Sequence, residues 1–212
     1  MDVPDVRRDY TRAVLDERDA APEPIAQFRA WLAEAAAADP LDPTAMTLST
    51  ADAHGRPSAR VVLLKGCDER GFVFFTNYGS RKARELAVNP YAALVFYWPA
   101  MDRQVRAEGL VEKTSREETA AYFATRPLDS RLSAWASRQS EPIAGREALE
   151  QALAAATRRF AGRDVPAPDF WGGYRLRPTL VEFWQGRAGR LHDRLAYRLG
   201  EDGAWTVARL QP

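Results

Sequence analysis

The sequence predicts an α+β fold, mainly β, in which short antiparallel strands form a small closed or partly closed barrel with helices around it. Three observations predict it. Short runs of β-branched and aromatic residues recur between positions 45 and 111 and again between 174 and 210, separated by turn-forming stretches. Helical periodicity is confined to the N-terminal side and to insertions between those runs. A chain of 212 residues that is 46% hydrophobic can also bury one substantial core.

Residues 1–22 are charged and lead into Ala-Ala-Pro-Glu-Pro, which reads as a flexible arm ahead of a single domain over 23–212. Pro24 suits a first helical turn, and Ile25, Phe28, Trp31, Leu32 and Ala35 make one apolar stripe that ends near Asp39-Pro40. Strands are predicted at 45–51, 59–65 and 72–76, joined by Asp-Ala-His-Gly-Arg-Pro and Gly-Cys-Asp-Glu-Arg-Gly as a meander. Ser80 opens a short helix that stops before Asn89-Pro90, and strands return at 91–98 and 104–111. From 114 to 162 the pattern is helical. Ser115 with Glu118 makes a capping box, Pro127 breaks the first helix, and Asp129 or Ser130 caps the next. Ser140-Glu-Pro begins a longer helix carrying Ile143, Leu149, Leu153 and Ala156. Strands at 174–184, 190–199 and 204–210 complete the chain, the last two joined by Gly-Glu-Asp-Gly.

Composition narrows the function. Thirty basic residues against 29 acidic ones give a net charge of +1, which argues against a general nucleic-acid binder. The single cysteine, Cys67, rules out an internal disulfide framework and fits a reducing, cytoplasmic setting. The N-terminus lacks the apolar core of a signal peptide, and no apolar run is long enough to span a bilayer. Nucleotide-binding glycine loops, a nucleophile elbow and a His-Glu-x-x-His motif are missing. With His54 and His192 the only histidines, a metal site is not expected.

What remains is a set of basic and hydroxyl groups. In Thr76 to Lys82, Ser80 is a good N-cap while Arg81 and Lys82 fall in the first helical turn, where a cation opposes the helix dipole. That placement makes sense if a phosphate docks there; otherwise both side chains swing into solvent. Arg60 and Lys65 bracket the apolar strand from Val61 to Leu64. Tyr122 and Arg126 lie one helical turn apart, and Ser130 returns after Pro127, as a second phosphate cradle or as an ordinary helical corner. Gln139-Ser140 is a third polar pair. In the run from Val181 to Arg194, Arg190, His192 and Arg194 alternate with Leu191, Asp193 and Leu195. A strand there would put three cationic or cationisable groups on one face, as a ligand site or as a solvated edge. Trp184, Phe183 and Gln104 would suit a flat heteroaromatic ligand.

Glu182-Phe183-Trp184-Gln185 followed by Arg190-Leu191-His192-Asp193-Arg194 resembles the diagnostic pattern of the pyridoxamine (pyridoxine) 5′-phosphate oxidases, flavoproteins of vitamin B6 metabolism. The resemblance extends through Arg60 to Lys65, Phe75-Thr76-Asn77, Gly79 to Lys82, Arg103-Gln104-Val105, Tyr122 to Ser130, Gln139-Ser140 and Phe170 to Gly173. It reaches Arg7 to Tyr10 in the arm and so covers nearly the whole chain.

This resemblance implies an antiparallel split β-barrel and a homodimer with FMN at the interface. It implies that Arg60, Val61, Lys65, Phe75, Thr76, Arg81, Lys82 and Ser140 hold the FMN phosphate and ribityl chain, and that Gln104, Gln139, Trp184 and Arg194 contact the flavin. Lys65, Tyr122, Arg126 and Ser130 would hold a substrate phosphate, with Arg190 and His192 over the pyridine ring as the catalytic pair and Arg7 and Tyr10 closing from the arm. Phe75 departs from the tyrosine that related sequences often carry. The reaction implied is oxidation of pyridoxamine or pyridoxine 5′-phosphate by dioxygen to pyridoxal 5′-phosphate, with release of hydrogen peroxide. A split-barrel oxidase of another aromatic substrate, as in phenazine synthesis, and a non-catalytic carrier are the competing readings.

Overall fold

The computed structural model describes residue 10 and residues 13–38 and 41–212. Among the described residues nine strands form one antiparallel sheet: β1 (Ala45–Ala51), β2 (Pro57–Leu63), β3 (Gly66–Asp68), β4 (Gly71–Asn77), β5 (Tyr91–Trp98), β6 (Arg103–Lys113), β7 (Trp171–Gln185), β8 (Asp193–Leu199) and β9 (Trp205–Arg209). Around them lie α1 (Pro24–Ala38), α2 (Arg81–Val88), α3 (Arg116–Thr125), α4 (Leu128–Ala136) and α5 (Arg146–Arg159).

The strand order is β2-β1-β5-β6-β7-β4-β3, and β8 pairs with β7 and β9. Strands β2 and β3 sit at opposite ends of that path, yet only Leu64 and Lys65 separate them in the chain. The sheet must therefore curl until its ends meet. At the seam the Leu64 N–H donates to Thr44 and the Lys65 N–H donates to Val73 at 2.8 Å. Strand β7 makes the split. One edge pairs with β6 along its length, while the other pairs with β4 through residues 171–176 and with β8 through residues 180–185.

Burial follows from that closure. In β1 and β6 buried positions alternate with half-buried ones, as expected of strands with one face to the core. Strand β4 is buried almost throughout because helices cover its outer face. Inside the barrel, Phe28 of α1 contacts Phe72 and Phe96, with ring centroids 4.9 and 4.8 Å away, and Trp31 meets Phe183 edge-on. Outside β4, Phe123, Leu132, Ala134, Val165 and Trp171 form a second, smaller cluster that fixes the α3–α4 corner against the sheet.

Several expectations are corrected. The stretch 45–76 is two hairpins, β1–β2 and β3–β4, separated by the whole sheet, because the Gly66–Asp68 turn region itself pairs as a strand. Pro127, with its fixed φ, holds the N-cap position of α4 instead of Asp129 or Ser130. Helix α5 starts at Arg146, so Ser140 does not open it, and Ile143 is exposed in the preceding loop. Strand β8 starts at Asp193. Residues 188–190 form a 3-10 turn with Gly189 and Arg190 at positive φ, which breaks the alternation expected from Arg190 to Arg194. Residues 13–22, expected with the preceding ones as a flexible arm, lie against the barrel. Leu15 is buried, its N–H donates to Asp193, and Ala21 accepts from the Tyr197 hydroxyl.

The register between β6 and β7 shifts at Glu108/Gly109, and a Cβ on Gly109 would lie 2.0 Å from the Arg177 carbonyl oxygen. Gly109→Ala is therefore expected to cost about 1–3 kcal/mol of overpacking, read as a lower urea midpoint with an unchanged slope.

Candidate active site

A cavity of about 640 Å³ opens between β2, β4, α2 and the α3–α4 corner. Its wall takes Arg60, Val61 and Lys65 from β2 and the seam, Phe75 and Thr76 from β4, and Lys82 from α2. Tyr122 and Arg126 enter from the end of α3, and Gln139 from the loop after α4. Nine of the sequence candidates thus meet around one space. Asn77, Ser137 and Trp171 also line it without having been candidates; Asn77, in its Phe-Thr-Asn run, and Trp171, in its Phe-Trp-Gly-Gly run, carried a signal, and Ser137 did not.

The floor is cationic. Lys82 is only 8% exposed, and its ammonium donates to Gln139 Oε1 at 2.9 Å and to the Thr76 hydroxyl at 3.2 Å. Burial, reinforced by the Arg60 charge and opposed by Glu85, pulls its pKa down to about 8. Ser80 stands at the N-cap as expected, but its hydroxyl makes no cap bond and lies 3.4 Å from the Lys82 ammonium. The Arg60 guanidinium donates to the Leu48 carbonyl, to Thr50 and Ser58, and to Glu85 at 3.3 Å.

The opposite wall is aromatic. The ring of Tyr122 stacks on Phe75 at 4.0 Å and 18°, and Phe75 stacks in turn near Trp171 at 5.4 Å. The missing hydroxyl of Phe75 is consistent with this role, since its ring packs against two others. The Arg126 guanidinium lies 4.6 Å from the Trp171 ring centroid, and its buried Nη1 has no hydrogen-bond partner among the described residues. Burial lowers the pKa of this group, and Tyr122 opposes the shift. An unmatched buried donor on a guanidinium costs roughly 1–3 kcal/mol, so the site is arranged for an anion.

A second cluster stands at the other end of β7. Gln104, Trp184 and Arg194 face one another across β6, β7 and β8. Tyr10 meets Trp184 and His192 edge-on at 5.7 and 5.4 Å. The His192 Nδ1 accepts the Arg187 N–H at 3.0 Å, which leaves the proton of the neutral ring on Nε2. Burial and then Arg190 lower its pKa, against Asp193. Arg194 binds both oxygens of buried Glu182, at 2.9 and 3.0 Å. Arg190 is exposed on its turn.

Trp171 and Trp184 mark the two clusters, and thirteen residues of extended chain span roughly 40 Å along the strand. One copy of the chain therefore does not unite all the candidates. Arg81, 63% exposed and held to Glu85 at 2.8 Å, stands outside the cavity wall, as do Ser130 on α4 and Ser140, which is exposed at φ 73°. Arg7 lies outside the described residues. Glu85 was not a candidate, although its spacing of four from Arg81 was visible.

The lowered pKa of Lys82 sets a pH dependence. Its folded value lies below its ordinary 10.5, so the charged ammonium costs the ligand-free fold stability, and that cost is relieved as pH rises through about 8. Affinity for a phosphomonoester should fall over the same rise as the cation is lost. Lys82→Met should weaken binding at pH 7 and flatten the pH profile, as measured by titration calorimetry.

The chain is similar to known proteins over nearly its whole length. A family model described as pyridoxamine 5′-phosphate oxidase matches residues 32–159, and one described as the pyridoxine 5′-phosphate oxidase C-terminal dimerisation region matches residues 171–212. The pyridoxine/pyridoxamine 5′-phosphate oxidase of Rubrobacter xylanophilus is 60% identical, over 100% of this chain and 97% of the relative. That of Cupriavidus necator is 57% identical over 98% of each chain. Among solved structures, PhzG from Burkholderia lata, in complex with tetrahydrophenazine-1-carboxylic acid, superposes with a TM-score of 0.89 at 34% identity, covering 95% of this chain and 100% of that one. An FMN-binding protein from Nostoc punctiforme gives 0.70 at 20% identity over 87% of this chain and 97% of that one, a likeness of fold alone. The chain belongs to the pyridoxamine 5′-phosphate oxidase family.

Proposed function

We propose that this oxidoreductase converts pyridoxamine 5′-phosphate and pyridoxine 5′-phosphate to pyridoxal 5′-phosphate at an FMN-dependent site completed by two copies of the chain. The observation that carries the reading is the cavity with two cation stations, Arg60 and Lys82 on the floor and Arg126 on the aromatic wall. The unmatched Arg126 donor and the buried Lys82 ammonium fit two phosphates, one from a cofactor and one from a substrate.

In this reading Arg60, Lys65, Thr76, Arg81, Lys82 and Ser140 hold the FMN phosphate and ribityl chain, with Val61 and Phe75 beside them. Tyr122, Arg126, Ser130 and Lys65 hold the substrate phosphate. The second cluster, mostly inside the matched dimerisation region, would be brought by the partner copy: Gln104, Trp184 and Arg194 toward the flavin, which Gln139 would meet from the cavity wall, and Arg190 and His192, with Arg7 and Tyr10, over the substrate ring. FMN, when bound, supplies the ring that accepts hydride and is reoxidised by dioxygen, with hydrogen peroxide as by-product. The protein positions and excludes water: fixing a phosphate at one end of a rigid ring orients the carbon at the other. His192, neutral with its Nδ1 engaged, keeps a single N–H to direct at substrate. Exposed Arg190 is free to close over it.

The likeness to PhzG favours a second reading, a tricyclic carboxylic acid as substrate, since a carboxylate would also pair with Arg126. The two separate in one experiment. Purified protein should show flavin absorption, and anaerobic pyridoxamine 5′-phosphate should bleach it where tetrahydrophenazine-1-carboxylic acid does not; bleaching by the acid alone would reverse the assignment. In the same assay Arg126→Ala should raise KM for pyridoxamine 5′-phosphate by about 100-fold and leave the flavin bands in place. Arg190→Ala should lower kcat more than it weakens FMN binding. A variant that sheds FMN yet turns over normally once resaturated would remove Arg190 from the substrate side.

A further inference from the structure

Glu85 is the acidic group at the centre of the cation cluster, and nothing in the proposed chemistry uses it. Its side chain is 6% exposed, in the second turn of α2. Oε1 accepts from Arg81 Nε at 2.8 Å. Oε2 accepts from Thr50 at 2.5 Å, from Ser58 at 2.6 Å and from Arg60 at 3.3 Å. Burial alone would raise its pKa, but donation from Ser58, Thr50 and Arg81 carries it down to about 2, so it is ionised wherever the protein works.

We infer that Glu85 is a positioning residue for the phosphate station, a buried carboxylate that ties Arg60 and Arg81 together and offsets the repulsion of Arg60 on Lys82. The inference rests on the FMN reading of the cavity and deepens it. Arg81 would otherwise be a poorly placed cation, exposed and in the first turn of a helix whose dipole disfavours it. Glu85 holds it by Nε alone, so both terminal nitrogens stay available to a ligand. Arg60 is fixed from β2 by the same oxygen that binds Thr50 and Ser58, which locks strand and helix at one distance. Three cations against one carboxylate leave an excess of positive charge close to the roughly two negative charges of a phosphomonoester.

A purely structural carboxylate and a positioning one predict different results. The groups facing Glu85 are Arg81 and Lys82 on its own helix, Arg60 and Ser58 on β2, and Thr50 on β1. Removing its charge leaves the Arg60 repulsion on Lys82 unopposed, so Lys82 should lose its proton at lower pH. The test dilutes FMN-loaded protein serially across pH 6 to 10 and reads released FMN by its fluorescence, which gives Kd without turnover.

Glu85→Gln is expected to raise Kd about tenfold at pH 6.5, although net charge alone would tighten an anion there, and to move the high-pH loss of binding downward. An unweakened affinity or an unmoved midpoint overturns the inference. Glu85→Asp keeps the charge but shortens the reach. It should weaken FMN while holding the midpoint near that of the unaltered protein, and unaltered affinity in this variant also overturns the inference, whether or not the Gln variant folds. If the unaltered protein binds no FMN, the cofactor reading and this one fall together. If it binds FMN and both variants match it, only the role of Glu85 falls.

Discussion

Strand β7 is the constraint on which the rest of the structure depends. It bonds to β6 along one edge and changes partner on the other, from β4 to β8, within fifteen residues. A sheet that forks in this way has two working ends. The first, where β4 leaves β7, receives α2, α3 and α4 and becomes a cavity wall. The second, where β8 leaves β7, gathers Trp184, His192 and Arg194. Antiparallel pairing sets both ends through one register, because a slip of one residue would turn every side chain of β7 to the opposite face. The glycine at the β6 bulge and the close approach of Arg177 pin that register.

Charge placement follows a consistent logic at the two ends. At the two ends of β7 some buried or half-buried cations are matched with buried carboxylates, and one on the cavity wall keeps an unpaired donor. Arg194 is clamped by Glu182 and Arg60 by Glu85, whereas Arg126 keeps a buried donor without a partner among the described residues. The matched pairs resist rearrangement because breaking one strands a charge away from water, a cost of several kcal/mol. The unmatched donor of Arg126 is the more expensive one, and on the proposed reading an anion would offset that cost.

Much of this was legible in the sequence. Periodicity located most strands and helices, since each presents one face to a core. Lys82 could be picked out at a helix start and Arg126 at a helix end, whereas Arg60, expected at the end of a strand, lies in the middle of β2. Three things were hidden. Strand β3 carries a turn composition and is a strand only because β4 lies beside it. The turn at 188–190 interrupts a perfect alternation through the left-handed backbone of Arg190, which alternation cannot reveal. Glu85 looked like an ordinary helix-surface residue, since burial by β1 and β2 is a tertiary fact. The resemblance to a flavoprotein family tied the candidates to one site, but only the structure separates them into two clusters at opposite ends of a strand.

Lys65 belongs to both the seam and the cavity wall. Its backbone N–H fastens the seam where the curled sheet meets itself, and its side chain borders the cavity. A ligand held by that residue would therefore also bear on the closure, by an amount set by its concentration relative to its dissociation constant. Amide protons along the seam should thus act as internal reporters of occupancy, exchanging with solvent more slowly as the site fills. Loosening the closure would, by the same linkage, be felt as weaker binding.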